Sequence, residues 1–302
     1  MNFRTTHTVA QRSSLANMQK NLAAMAKLQE QASSGKRINK ISDDPSMAAD
    51  ALSLRREQSA SAQYARNAQD GQAWLNLADS AIMSTSTLLR RARDLVTQGA
   101  NTGTQNGETR EALAVELDGI KSALLDQANT KYLGRSVFAG TSGESHAFDK
   151  ETYAFSGVEQ AVVERRISDS TTVRVDVAGT EVFGGDSTDP SSPDYSVFKL
   201  IDDITATLRS GGDPAPALNQ IDTRLAKVLN AGATVGARTN QIESAAERAS
   251  FRASSLRSDI SGIEDIDLAQ TVIDLKIQEV AYTASLNVTS KVLQPTLLDY
   301  LR

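Results

Sequence analysis

The sequence predicts a mainly α fold: an elongated rod of long antiparallel helices with heptad seams formed by both chain ends, plus a small inserted antiparallel β domain. Three observations carry this. First, fourteen positions from Leu218 to Ile263 follow one another at spacings of three and four: Leu218, Ile221, Leu225, Val228, Gly232, Val235, Thr239, Ile242, Ala246, Ala249, Ala253, Leu256, Ile260 and Ile263. Twelve of them are apolar, where a 40% hydrophobic composition would place roughly six. Second, the same spacing runs through Tyr64, Ala68, Gly71, Leu75, Ala78, Ile82, Thr85, Leu89, Ala92 and Val96. Two narrow stripes far apart in sequence each need a partner, and each is suited to the other. Third, the period changes between Gly134 and Gly185, where Val173 to Val177 alternates strictly and Ala161 to Ile167 and Tyr153 to Phe155 are strand-like.

Each element has its own signals. Leu15, Met18, Leu22, Met25 and Leu28 mark a first helix that ends at Ser33-Ser34-Gly35, with Gly35 suited to a left-handed cap. A polar connector runs from Lys36 to Asp43. Asp44 directly before Pro45 supplies a capping carboxylate and a residue pre-set for the first helical position, so a second helix starts there. It meets no breaker but Gly71 before Gly99, a length of about 80 Å at the helical rise. Asn101 to Gly107 is a loop, and Leu113, Leu117, Ile120 and Leu124 place a third helix after Glu108. Val197, Ile201, Ile204 and Leu208 mark a short helix beyond the linker of Asp186 to Asp194.

The last helix carries two stripes: Leu268, Val272, Leu275, Tyr282, Leu286 and Leu293, with Ile266, Ile273, Ile277, Val280, Val288 and Val292 beside them. A helix apolar on two flanks needs more than one neighbour; the first helix supplies one, and the rest come from another molecule or, as the alternative, from burial in a bundle within the monomer. The expected organisation is therefore terminal assembly segments at 1–40 and 266–302, a helical rod at 41–133 and 195–265, and a β insertion at 134–194.

Composition narrows the function. A net charge of -5 argues against nucleic acid, since no face gathers enough Lys and Arg to neutralise several phosphates. Arg90, Arg91 and Arg93 are explained by a solvated helix face or by pairs with Glu243 and Glu247. Cysteine is absent. No window approaches 18 apolar residues and the first thirty residues lack a secretory apolar run, so neither membrane insertion nor a cleaved signal is expected. His7 and His146 read as exposed polar residues, and Asp43-Asp44 as a cap. With no nucleophile elbow, phosphate loop or metal motif, no catalytic residue, cofactor or metal is assigned, and the chain is not read as an enzyme.

The stretch Ser34-Gly35-Lys36-Arg37-Ile38-Asn39-Lys40-Ile41-Ser42-Asp43-Asp44-Pro45 resembles the signature that follows the first helix in the bacterial flagellin superfamily. Asn129-Thr130-Lys131-Tyr132-Leu133-Gly134-Arg135-Ser136-Val137-Phe138-Ala139-Gly140-Thr141 is similar to the passage out of the helical region in the superfamily's hook-filament junction branch. Val292-Leu293-Gln294-Pro295-Thr296-Leu297-Leu298-Asp299-Tyr300-Leu301 is similar to that branch's ending, while the final Arg302 is more like true flagellins.

The resemblance implies an extracellular axial protein of the bacterial flagellum, an adaptor at the hook-filament junction. Its implied partners are itself, the first hook-filament junction protein, flagellin, the type III export apparatus and an export chaperone. A filament subunit and a cytoplasmic coiled-coil scaffold are the alternatives. The expected assembly interface is Leu15, Met18, Leu22, Met25, Leu275, Tyr282, Leu286, Leu293, Leu297, Leu298, Tyr300 and Leu301.

Overall fold

A computed structural model describes residues 7–101, 106–158, 162–190 and 192–293. Its helices are α1 (His7–Ser34), α2 (Pro45–Ala100), α3 (Gly107–Ala128), α4 (Gly179–Phe183), α5 (Val197–Arg209), α6 (Ala217–Glu264) and α7 (Leu268–Leu293). The strands are β1 (Lys131–Tyr132), β2 (Arg135–Ser136), β3 (Glu164–Arg166) and β4 (Thr172–Arg174), so the chain is mainly α with a small β region. It divides into two compact units, one of residues 1–59 with 252–302 and the other of residues 60–251.

In the larger unit both heptad seams are confirmed. Every stripe position of α2 from Ala68 to Val96 is buried, and of the α6 stripe from Leu218 to Ala249 none is exposed. The two helices run antiparallel: Ser61 Oγ donates to the Ala249 carbonyl at 2.9 Å, Gln72 bonds Glu243, and Arg93 pairs with Asp222 at 2.6 Å. Gly71 is the notch in this seam, because a Cβ there would stand 2.9 Å from Ile242 Cδ1 and 3.1 Å from Val175 Cγ1. Arg90, Arg91 and Arg93 are exposed, as a solvated helix face requires, but the ion pairs differ from those expected. Arg91 pairs with Glu116 on α3 and Arg93 with Asp222, while Glu243 takes Gln72, since α3 and the first turns of α6 lie nearer to that stretch of α2.

Less of the inserted region is sheet than the alternation implied. Pairing is confined to the antiparallel ladders β1–β2 and β3–β4, and Phe148 and Phe155 share a single bridge. β3 begins at Glu164 rather than 161, a position outside the described residues. The Val175 N–H still donates to the Val163 carbonyl at 2.8 Å, Val175 and Val177 are buried, and the chain then turns into the short helix α4. Side-chain packing decides this geometry. Phe138, Phe148, Phe183 and Phe198 are buried with ring centroids 5.4–6.0 Å apart, most of them edge-on, and they share one core with α3 and α5. Asp176, also buried, holds the loop after β4 by accepting the Val163 N–H at 2.9 Å and both Arg174 Nε and Nη2.

In the smaller unit α1 and α7 pack antiparallel, and the connector of residues 35–44 ties their ends to α2 and α6. Gly35 takes φ +70° and its N–H closes α1 on the Gln31 carbonyl, as the cap signal predicted. Asp44 Oδ1 accepts the Met47 N–H at 3.0 Å, which is the expected N-cap of α2.

Candidate assembly surface

The connector is built around a carboxylate that sequence reasoning passed over. Glu264, at the end of α6, is 6% exposed and receives Arg55 Nη2 at 2.6 Å and Lys36 Nζ at 3.3 Å. Its carbonyl accepts the Arg37 N–H at 2.6 Å, and Arg37 Nη2 donates to the Ile263 carbonyl at 2.8 Å. Asp43 folds the loop on itself by accepting the N–H groups of Asn39 and Lys40. Those bonds, that of Lys40 first, hold its carboxyl below the usual 3.8, with help from the Lys27 ammonium 3.5 Å away. The basic and acidic letters of the 34–45 signature thus join the ends of four helices. An acid following Ile260 and Ile263 was the available sign of Glu264.

From this junction α1 and α7 run side by side. The Ile266 N–H donates to the Gly35 carbonyl at 3.2 Å, and Gln278 Nε2 donates to the Asn21 carbonyl at 3.1 Å and to its side-chain oxygen at 3.3 Å. On α7 the positions Thr271, Leu275, Gln278, Tyr282, Ser285 and Thr289, spaced four and three, are protected, with Asp274 and Ala281 beside them; those of α1 are Ser14, Met18, Asn21, Met25 and Leu28, followed by Gln31 and Ala32. This is a heptad seam with a polar middle layer, and a polar pair in that position fixes register at a cost in stability.

The seam splits the expected interface. Met18, Met25, Leu275 and Tyr282 are half-buried within it, whereas Leu15, Leu22 and Leu286 are exposed on its flanks. Nothing is described of the Leu293 side chain, and Leu297, Leu298, Tyr300 and Leu301 lie outside the described residues. At 100° per residue the two apolar stripes of α7 stand on nearly opposite sides of the helix rather than beside each other, and α1 docks along one edge of the first, taking in Leu275 and Tyr282 with the polar positions next to them. Leu268, Val272, Ile273, Ile277, Val280, Leu286 and Val288 are all exposed as a result, Ile277 by 62% and Val280 by 67%. Val9 of α1 is exposed too. A helix apolar on opposite sides is stable only when surrounded, so these residues form a surface that lacks its neighbours.

Among the described residues no group of three or more His, Cys, Asp or Glu could hold a metal, and no helix is long and apolar enough to cross a membrane. In the larger unit Arg224 is buried and binds the carbonyls of Pro193 and Tyr195 at 2.8 and 2.7 Å, with burial pushing its guanidinium down to about 10. Those bonds anchor a loop to α6.

Comparison with known proteins identifies the family. The family model described as the bacterial flagellin N-terminal helical region matches residues 6–143, and that of the bacterial flagellin C-terminal helical region matches residues 218–301. Flagellar hook-associated protein 3 of Salmonella typhimurium is 27% identical over 282 residues, covering 87% of this chain and 88% of that protein. The flagellin of Bacillus subtilis is 27% identical over 297 residues, covering 94% of each. A putative flagellar hook-associated protein from Vibrio parahaemolyticus has a similar fold, with a TM-score of 0.66 at 24% identity over 74% of this chain and 100% of that one.

Proposed function

This chain belongs to the bacterial flagellin family, and on that premise we propose that it is a structural adaptor at the hook-filament junction of the flagellum, assembled through its terminal helices. The observation that carries the reading is the two-sided apolar surface of α7, with Ile277 and Val280 on one side and Leu268, Val272 and Leu286 on the other. Only a neighbour on each side covers both, which is what a subunit inside a tube receives. The four C-terminal residues Leu297, Leu298, Tyr300 and Leu301, with Leu293, extend the same interface.

Assembly partners are further copies of itself, the first junction protein below and flagellin above. Before assembly the chain passes through the type III export apparatus without a cleaved signal, held by an export chaperone on its C-terminal segment. The weak, polar seam between α1 and α7 favours this route, because helices that gain most of their burial from neighbours are inexpensive to unfold for transport.

Bacillus subtilis flagellin, matched at the same identity over more of the chain, favours a filament subunit as the second reading. A cytoplasmic scaffold has no support beside family membership. The test is electron microscopy of the purified chain added to isolated hooks, with and without the other hook-associated proteins and flagellin. A short layer that stops and then accepts flagellin is expected. Long filaments of this chain alone would make it a flagellin, and no association under any condition would overturn both readings.

A further inference from the structure

The hairpin β1–β2 breaks a local rule with no compensation inside the molecule. Its turn residues Leu133 and Gly134 have φ +48° and +82°, the left-handed pair that a type I′ turn requires and that Asn-Gly supplies best. Leucine there is strained on the order of 1 kcal/mol. Its side chain recovers nothing, being 83% exposed, more than any other large hydrophobic among the described residues. The hairpin is nonetheless held firmly. Tyr132 donates its hydroxyl to Asp70 at 3.1 Å, its ring stands edge-on to Trp74, and Arg135 lies over the Trp74 ring. A rigid base therefore presents an apolar knob flanked by the exposed cations Lys131 and Arg135.

The same unit contains a receptor of matching character. Between α5 and the turn before α6 lies a groove of about 260 Å³, floored by buried Leu200 and Ile204 and walled by Pro214 and Pro216. Asp203 and Asp213 stand exposed at its edge, without an ion pair among the described residues. The knob cannot reach its own groove. The hairpin rests at Asp70 and Trp74 of α2, whereas a Cβ on Gly99 would come within 3.4 Å of Pro214, which separates the two by about 37 Å along the helix.

We propose that the hairpin of one copy docks in the groove of a second copy, with Leu133 on the Leu200 and Ile204 floor and Lys131 and Arg135 facing Asp213 and Asp203. Two complementary patches at different heights on one molecule make a head-to-tail contact, which propagates through a layer instead of closing a dimer. Apolar fill supplies affinity and the opposed charges set which side chains meet. The inference rests on the axial-subunit reading.

The test uses Leu133→Asn in the full chain, a change that improves the turn and removes the knob. The expected result is a melting temperature equal to or above that of the unaltered chain, together with at least a tenfold rise in the concentration needed to form a layer on isolated hooks. Lys131→Glu should weaken layer formation in the same way, and Asp213→Lys added to it should restore it. Layers of Leu133→Asn forming at the unaltered concentration would overturn the docking and leave the axial reading standing. Failure of the unaltered chain to form any layer would overturn both.

Discussion

Substituting Ile277→Ala together with Val280→Ala separates assembly from folding. The double change deletes about five methyl or methylene groups, each worth about 0.8 kcal/mol when buried. In the isolated chain the two side chains are 62% and 67% exposed, so roughly two thirds of that effect, about 2.5 kcal/mol, awaits a neighbour. At 1.4 kcal/mol per factor of ten, the loss is about sixtyfold in subunit affinity. Folding of the isolated chain should change in the opposite sense, if at all, because alanine is the better helix former by a few tenths of a kcal/mol per site. Circular dichroism melts should thus coincide or rise slightly, while the critical concentration for a layer on hooks, read by light scattering and electron microscopy, climbs by one to two decades. A melting temperature lowered by several degrees would place these side chains in the monomer's core. An unchanged critical concentration would refute the assignment of this face to assembly.

Glu264→Gln should cost about 1 to 2 kcal/mol, less than a fully buried pair because Lys36 and Arg55 are each about half exposed and water takes over part of their charge; denaturant melts read it. Asp43, its pKa depressed in the folded chain, stabilises the connector above its unfolded value near 3.8 and loses that contribution as pH falls through the folded value. Acid unfolding monitored below about pH 4 should therefore be shallower in Asp43→Asn than in the unaltered chain. Gly71→Ala should destabilise by about 1 to 3 kcal/mol through its clash with Ile242, whereas Gly236→Ala, with nothing within 4 Å of the added carbon, should stabilise by about 0.5 to 1 kcal/mol. Arg224→Met should release the loop around 193–195, seen as faster hydrogen exchange there with α6 unchanged.

The parts legible in the sequence are those where burial is complete inside one chain. The α2 and α6 stripes are the inner faces of a bundle, so the stripe positions are buried from Ala68 to Val96 and buried or half-buried from Ile221 to Ala249. The caps at Gly35 and Asp44 were readable for a different reason, since a positive φ and an orphan N–H admit few residue types. The inserted region was misjudged because alternation in Val173 to Val177 reports two faces, one buried, without saying what buries it. Here a core shared with aromatic rings does so, and the pairing ends with the Val175 N–H on the Val163 carbonyl. The α1–α7 seam was legible only in part, through Met18, Met25, Leu275 and Tyr282, because Thr271, Gln278, Ser285 and Thr289 also face the partner while Ile273, Ile277, Val280 and Val288 point away from it.

The Asn21–Gln278 layer and the hydroxyl-rich seam around it have a consequence for the order of events during construction. Two helices held by so thin a contact align one another without committing to a final position. In the proposed assembly, adjacent subunits would cover the faces of α7 that α1 leaves open, so each incoming molecule would be finished by those already in place. A chain that met no correct neighbour would keep those faces uncovered, which would favour growth at a tip where such neighbours wait.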